Sequence, residues 1–173
     1  AGLLELPVFA DEAIYIRWSQ LIIDDLPRYL FFPMNDGKTP LFFWIVAPFQ
    51  FLFNNQLYAA RFVSVIIGLL QMFVVMGITS LVTKSKKTVY LSGFLVTILP
   101  FWYFHHRMVL TDGLMTLMIS TSVYFLTKEF VSLKQRKLFE KESLINILGA
   151  GLFFGFSLYS KIPAVLFIPA LFF

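Results

Sequence analysis

Seven side chains could move a proton or hold an anion: the carboxylates Asp11, Glu12 and Asp112, and the cations Lys38, Arg61, Arg107 and Lys161. Asp112 follows Arg107 and Thr111 and falls about one turn inside an apolar run, a depth at which an ionisable group is costly unless it is paired or solvated by a cavity. A functional acid and a structural pair with Arg107 both fit that position. Asp11 and Glu12 stand where the apolar segment LLELPVFA meets a helix. Capping by Asp11, with Glu12 favouring the positive helix end, accounts for them as well as catalysis does. Lys38 lies between a glycine turn and a proline-started apolar helix, where its ammonium could reach a phosphate near the helix amino terminus or simply snorkel to the interface. Arg61 and Lys161 share the second alternative, although each is embedded beside apolar runs. Adjacent His105 and His106 do not share a helical face, so an interfacial role outweighs metal ligation.

The elements that must position these groups are helical and mostly apolar. The charge-free run Phe62 to Val82 reaches about 31 Å at about 1.5 Å per residue, enough to cross a hydrocarbon core. Thr88 to Phe104, Met108 to Thr127 and Ser143 to Ser160 are expected as three more spans, and the run from Ile162 begins a fifth. Thr39 to Phe53 is apolar but reaches only about 22 Å and contains Pro48, so an interfacial or re-entrant helix is predicted there. Asp11 to Leu30 places Ile14, Trp18, Leu21, Ile22 and Leu26 on one stripe, the pattern of a helix lying on a membrane surface. Pro27 should break or end it, and the NDGK stretch Asn35 to Lys38 should turn.

Composition supports a bilayer as the solvent. The 173 residues are 58% hydrophobic, 18% aromatic and only 14% charged, with 22 phenylalanines that a water-soluble monomer would have to leave in exposed patches. The net charge of +4 does not signal nucleic acid, because the basic residues cluster in loops between apolar runs. Lys84, Lys86 and Lys87 form one such loop, and Lys128, Lys134, Arg136, Lys137 and Lys141 another. Two spans separate them, so both face one compartment, and the positive-inside rule makes it the cytoplasm. Asp11, Glu12, Asp36, Lys38, Arg61, His105, His106, Arg107, Asp112 and Lys161 then share the outer side, facing periplasm, cell exterior or ER lumen. Cations gathered there against the rule imply either an anionic ligand or an internal salt-bridge network. The absence of cysteine excludes disulfides and thiolate metal sites.

Taken in order, these motifs resemble those of the GT-C membrane glycosyltransferases, in particular the protein O-mannosyltransferase and aminoarabinose transferase group. FADEAIYIRW (Phe9 to Trp18) is similar to the family's first-loop Asp-Glu motif, and DGKTPLFFWIVAPFQFLF (Asp36 to Phe53) to its Lys/His-x-Pro-Leu segment. YAARFVSVIIGLL (Tyr58 to Leu70) resembles the arginine-bearing start of the next span. RMVLTDGLM (Arg107 to Met115) resembles the second acidic motif, and YSKIPAVLFIPA (Tyr159 to Ala170) the Lys-x-Pro helix start. Thr39 stands where a second proline is common, and Ser160 precedes Lys161, so donor and acceptor identities stay open.

The resemblance implies a partial GT-C fold: an all-α polytopic bundle with an outer loop of juxtamembrane helices over 1–56 and transmembrane helices over 57–173. Because no charged n-region with an apolar run and cleavage site opens the chain, and its last residues stop inside PAVLFIPALFF, an excerpt is expected that lacks a preceding span and a carboxy-terminal region. The resemblance further implies an inverting, single-displacement glycosyltransferase that uses a polyprenyl-phosphate-linked sugar and a lipid, glycan or protein acceptor. Asp11 would be the general base, Glu12 and Asp112 would orient or polarise the centre, and Lys38, Arg61, Arg107 and Lys161 would stabilise the departing phosphate. No nucleotide cofactor or nucleic-acid partner is expected, and a divalent metal ion is left open. A transporter or lipid flippase is the main rival, since intramembrane acids and cations also mark transport paths. It predicts internal repeats with broken helices, and no convincing repeat is legible at span scale. A non-catalytic scaffold would explain the hydrophobicity but not the ordered motifs.

Overall fold

The computed structural model describes residues 2–133 and 141–169, and all regular structure among them is helical. Lys134, Arg136 and Lys137 of the second basic loop lie outside the described residues, as does the side chain of Lys141. Helix α1 (Ala10–Asp24) leads through the short α2 (Leu26–Tyr29) and a 3-10 turn (Phe32–Asp36) to α3 (Leu41–Phe49). Longer helices follow: α4 (Gln56–Val82), α5 (Lys86–Ile98), the short α6 (Pro100–His105), α7 (Thr111–Leu133) and α8 (Lys141–Ser160), then a 3-10 turn over Ile162–Phe167.

The first-loop helices form where expected. Asp25 ends α1 and its carboxylate accepts from the Arg28 backbone N–H at 3.3 Å, so the chain restarts at once as α2 with Pro27 in its first turn. Gly37 closes the next turn in the left-handed region at φ 69°, a conformation that costs glycine little. The predicted stripe divides: Ile22 of α1 enters the core, whereas Ile14 of α1 and Leu26 of α2 are exposed. The inward face is instead Glu12, Tyr15, Ser19 and Ile22, which packs on α3. Nine-residue α3 spans only about 14 Å, too short to cross a bilayer.

Gln56–Val82 and Glu142–Ser160 are the described helices long and apolar enough to cross a membrane. Two span expectations are corrected. The stretch Thr88 to Phe104 is not one helix: α5 stops at Ile98, Leu99 is extended at ψ 126°, and Pro100 starts α6. A residue before proline is driven out of the helical region, and the proline has no N–H to continue the ladder. Helix α7 starts at Thr111, so Asp112 sits in its first turn rather than a turn deep, and the helix runs past Thr127 to Leu133. At Ile162 the backbone enters a 3-10 turn, and the end of that apolar run, from Ala170, lies outside the described residues.

Packing centres on α4 and α7. Helix α7 lies against α4 and α8, α4 against α5 and α3, and α1 against α3. Hydroxyl and amide bonds tie the long helices together, as between Gln71 Nε2 and Ser120 Oγ at 2.9 Å and between Ser122 Oγ and the Ala150 carbonyl at 2.8 Å. Between apolar helices such bonds add to dispersion contacts that lipid cannot replace. Phe94 and Leu95 on α5 and Leu148 and Leu152 on α8 are exposed, the outward apolar surface that suits a lipid neighbour. The core of the described residues sits at the other end, where Phe42, Phe43 and Val46 of α3 meet Val63 of α4 and Val109 before α7.

Candidate active site

Two ion pairs organise the site. Glu12 and Arg61 are both fully buried, and the guanidinium grips the carboxylate in two places: Nε to Oε1 at 2.9 Å and Nη2 to Oε2 at 2.7 Å. The same carboxylate accepts from the backbone N–H groups of Phe9 and Val109, each at 2.9 Å. The remaining guanidinium hydrogens go to the carbonyls of Leu3, Leu6 (3.1 Å) and Pro7 (3.1 Å). Burial pushes the Glu12 carboxyl up, but Arg61 and the two backbone donors outweigh it and hold the group below its ordinary value. With all five guanidinium N–H groups engaged, Arg61 has none left for a phosphate. Glu12 is likewise closed off from a reacting centre, and it is Glu12, not Asp11, that satisfies an orphan N–H at the start of α1.

The second pair is open. Lys161 Nζ donates to both carboxylate oxygens of Asp112, at 2.7 and 2.8 Å, and each side chain keeps about a third of its surface exposed (33% and 34%). Asp112 comes from the first turn of α7 and Lys161 from the extended residue that separates α8 from the last 3-10 turn. The partner of Asp112 is therefore Lys161, while Arg107 turns elsewhere: it donates to the Tyr103 hydroxyl and to the Gly2 carbonyl (3.0 Å), with its guanidinium over the Tyr103 ring. Asp112 also lines a cavity of about 460 Å³ between α4, α6 and α7, whose walls include Gln71, Val75, Trp102, Thr116 and Phe167.

Asp11 is half-buried, and among the described residues no hydrogen bond or ion pair engages its carboxylate. Lys38 is half-buried too: its backbone N–H bonds the Pro33 carbonyl at 3.1 Å, and its ammonium has no ion pair among the described residues. Tyr15, one helical turn after Asp11 on α1, is buried against Phe42 and Phe43. Its phenol is pushed up to about 12, first by burial and then by the charges of Asp11, Asp112 and Asp36. The burial of Tyr15 near these acids was not legible in the sequence, although its spacing from Asp11 was a signal available.

The two histidines part company. His105 Nδ1 lies 2.8 Å from the Phe101 carbonyl, while His106 is buried, stacks on Trp102 and has no hydrogen-bond partner for either ring nitrogen among the described residues. Room for His106 comes from two glycines: a Cβ at Gly68 would lie 2.7 Å from its Cβ and Cγ, and one at Gly113 3.3 Å from its Nδ1. Among the described residues no three His, Asp or Glu side chains gather to hold a metal ion.

The family model for dolichyl-phosphate-mannose-protein mannosyltransferase matches residues 37–173, well over half of the chain. The chain belongs to that family. It is therefore a GT-C type, mannosyltransferase-like glycosyltransferase, of a family that is membrane-integral and whose members imply a dolichyl-phosphate-sugar donor and a protein acceptor. The match takes in Lys38, Arg61, Arg107, Asp112 and Lys161 but begins after Asp11 and Glu12. No curated protein and no solved structure matches the chain. Family membership sets the transporter reading aside in favour of glycosyl transfer.

Proposed function

We propose that the chain forms the amino-terminal part of an inverting glycosyltransferase that moves a sugar from a polyprenyl-phosphate donor to an acceptor hydroxyl on the non-cytoplasmic side of a multi-pass membrane domain. The observation that carries this reading is the open Asp112–Lys161 pair beside a largely apolar cavity, together with Asp11, whose carboxylate has no hydrogen bond or ion pair among the described residues. Asp11 takes the proton of the acceptor hydroxyl, whose oxygen attacks the anomeric carbon. The bond from that carbon to the phosphate oxygen breaks on the opposite face, and the phosphate leaves with the electron pair. Lys161 and Lys38 stabilise the charge that develops there, and Arg107 keeps three N–H groups with which to assist.

Asp112 orients the centre once Lys161 shifts toward phosphate. The largely apolar cavity beside it suits the lipid chain of the donor. Glu12 and Arg61 are reassigned from the reacting centre and the phosphate to the framework that holds α1 against α4 and the start of α7. In the full-length protein, Asp11→Asn should lower sugar transfer from a polyprenyl-phosphate donor by about 10²- to 10⁴-fold, with membrane insertion unchanged. Transfer at the wild-type rate would remove Asp11 from the role of base. Lys38→Ala should act mainly on donor KM, and unchanged donor kinetics would mean that Lys38 only snorkels.

A further inference from the structure

Trp102 is a wall of two cavities: the one that Asp112 lines, and another of about 380 Å³ between α4, α5 and α6. Val65, Leu69 and Val96 make the second cavity apolar, and Leu69 and Tyr103 are exposed, so it opens at the surface of the helices. Arg107 is the charged member of its lining. The guanidinium donates to the Tyr103 hydroxyl and the Gly2 carbonyl and lies over the Tyr103 ring at 4.8 Å, which leaves three N–H groups free among the described residues. Beside this cation the backbone leaves a gap. Gly2 has φ 81°, and the point where a Cβ would stand is 3.1 Å from Arg107 Nη2 and 3.1 Å from Glu5 Oε2. A cation and a carboxylate thus face each other across Gly2, and among the described residues no ion pair or hydrogen bond engages the Glu5 carboxylate. An exposed ion pair is worth at most about 1 kcal/mol, so the two groups lose little by standing apart and stay available to a ligand.

We propose that this cavity binds a phospholipid whose headgroup carries a primary ammonium, with the phosphate on Arg107, the ammonium on Glu5 and an acyl chain against Val65, Leu69 and Val96. Guanidinium N–H groups recognise phosphate oxygens in pairs, and Arg107 has the donors to do so. Glu5 discriminates among headgroups. A primary ammonium offers it charged N–H donors, a quaternary ammonium has none, and a glycerol headgroup brings no cation. Trp102 and Tyr103 supply the amphipathic rings that favour a membrane–water boundary, and the exposed Phe94 and Leu95 of α5 continue the apolar surface for the rest of the lipid. The inference goes beyond the glycosyl-transfer reading and does not depend on Asp11 or Lys161. The N–H groups it uses are those Arg107 has free for a departing phosphate, so headgroup and donor are alternative occupants of one guanidinium.

The test uses the full-length protein, delipidated in detergent and offered an equimolar mixture of palmitoyl-oleoyl phosphatidylethanolamine, phosphatidylcholine and phosphatidylglycerol, with the retained lipid counted by native mass spectrometry. The wild type should retain phosphatidylethanolamine about ten-fold better than either competitor. Glu5→Gln should bring the three lipids within about two-fold of one another, because the charged partner of the ammonium is gone. Arg107→Gln should lose phosphatidylethanolamine. Thr97→Trp, which fills the cavity from α5 and leaves both charges in place, should lower retention of all three lipids about ten-fold. Should Arg107→Gln not fold, Glu5→Gln and Thr97→Trp, both at exposed residues, still decide the matter. Equal retention of the three lipids by the wild type, a preference for phosphatidylglycerol, an undiminished preference in Glu5→Gln or unchanged retention in Thr97→Trp would each overturn the proposal. Displacement of phosphatidylethanolamine by equimolar polyprenyl phosphate would overturn it in favour of the sugar carrier, and displacement by inorganic phosphate in favour of a bare anion site. Sugar transfer is not read, so an error in the assignment of the base leaves the outcome untouched.

Discussion

Glu12–Arg61 and Asp112–Lys161 are each a carboxylate and a cation drawn together from positions 49 residues apart, yet they do opposite work. The first pair has no exposed surface, and every polar atom in it is taken by the partner or by backbone. The second pair is bidentate too but remains about one-third exposed, and its Asp112 lines a cavity. The contrast teaches that an ion pair serves structure when the fold satisfies it completely and serves chemistry when the fold leaves it something to exchange. A phosphate can compete for Lys161 at an open boundary. It cannot compete for Arg61 without first breaking some of its five hydrogen bonds, two of them fully buried.

Removing one partner of the buried pair should have the largest effect on stability. Arg61→Met leaves a buried carboxylate and three unpaired carbonyls, and should cost about 3–5 kcal/mol, read by chemical unfolding in detergent. A loss below about 1 kcal/mol would collapse the distinction between the two pairs. A charge swap sharpens it further. Glu12→Arg with Arg61→Glu should fail to restore folding, because the backbone N–H groups of Phe9 and Val109 need an acceptor where an arginine would now stand. The swap Asp112→Lys with Lys161→Asp should fold like wild type and lose only transfer, since water can serve both partially exposed groups.

Acid tests the same comparison more gently. Because Glu12 is held below its ordinary value of 4.5, the stability it contributes is complete above about pH 4.5 and is lost as pH falls through its depressed folded value. The unfolding temperature of wild type should therefore drop with decreasing pH in that range. That of Glu12→Gln, already lower, should follow a flatter profile. The smallest effect is expected for Asp112→Asn. Stability should change by no more than about 1 kcal/mol, since a partially exposed pair is screened by solvent, while sugar transfer falls. A stability loss as large as that of Arg61→Met would make Asp112–Lys161 a second framework pair.

Much of the first loop could be read from local chemistry. Pro27, the NDGK turn and the short reach of Thr39 to Phe53 all behaved as nearest-neighbour rules require. Pro100 is equally visible, and although the run around it is apolar enough to suggest one span, the chain breaks there as proline stereochemistry dictates. The division of α1 into an exposed Ile14 and a buried Tyr15 was harder to foresee, because Glu12 is drawn inward by an arginine from another helix and carries the register with it. Periodicity ranks residues by apolarity. It cannot know that a carboxylate will be the most deeply buried member of a face.

The residues alone determined that this chain is helical and apolar, that its acids and cations recur in an order similar to that of membrane glycosyltransferases, and where its first loop would turn. Those are properties of composition, spacing and local backbone sterics, which act over a few residues at a time. Only the tertiary structure decided which acid meets which cation: Arg61 with Glu12 and Lys161 with Asp112. Such choices depend on which helices pack side by side and how completely each polar group is screened from solvent. Both are set by contacts between residues far apart in the chain.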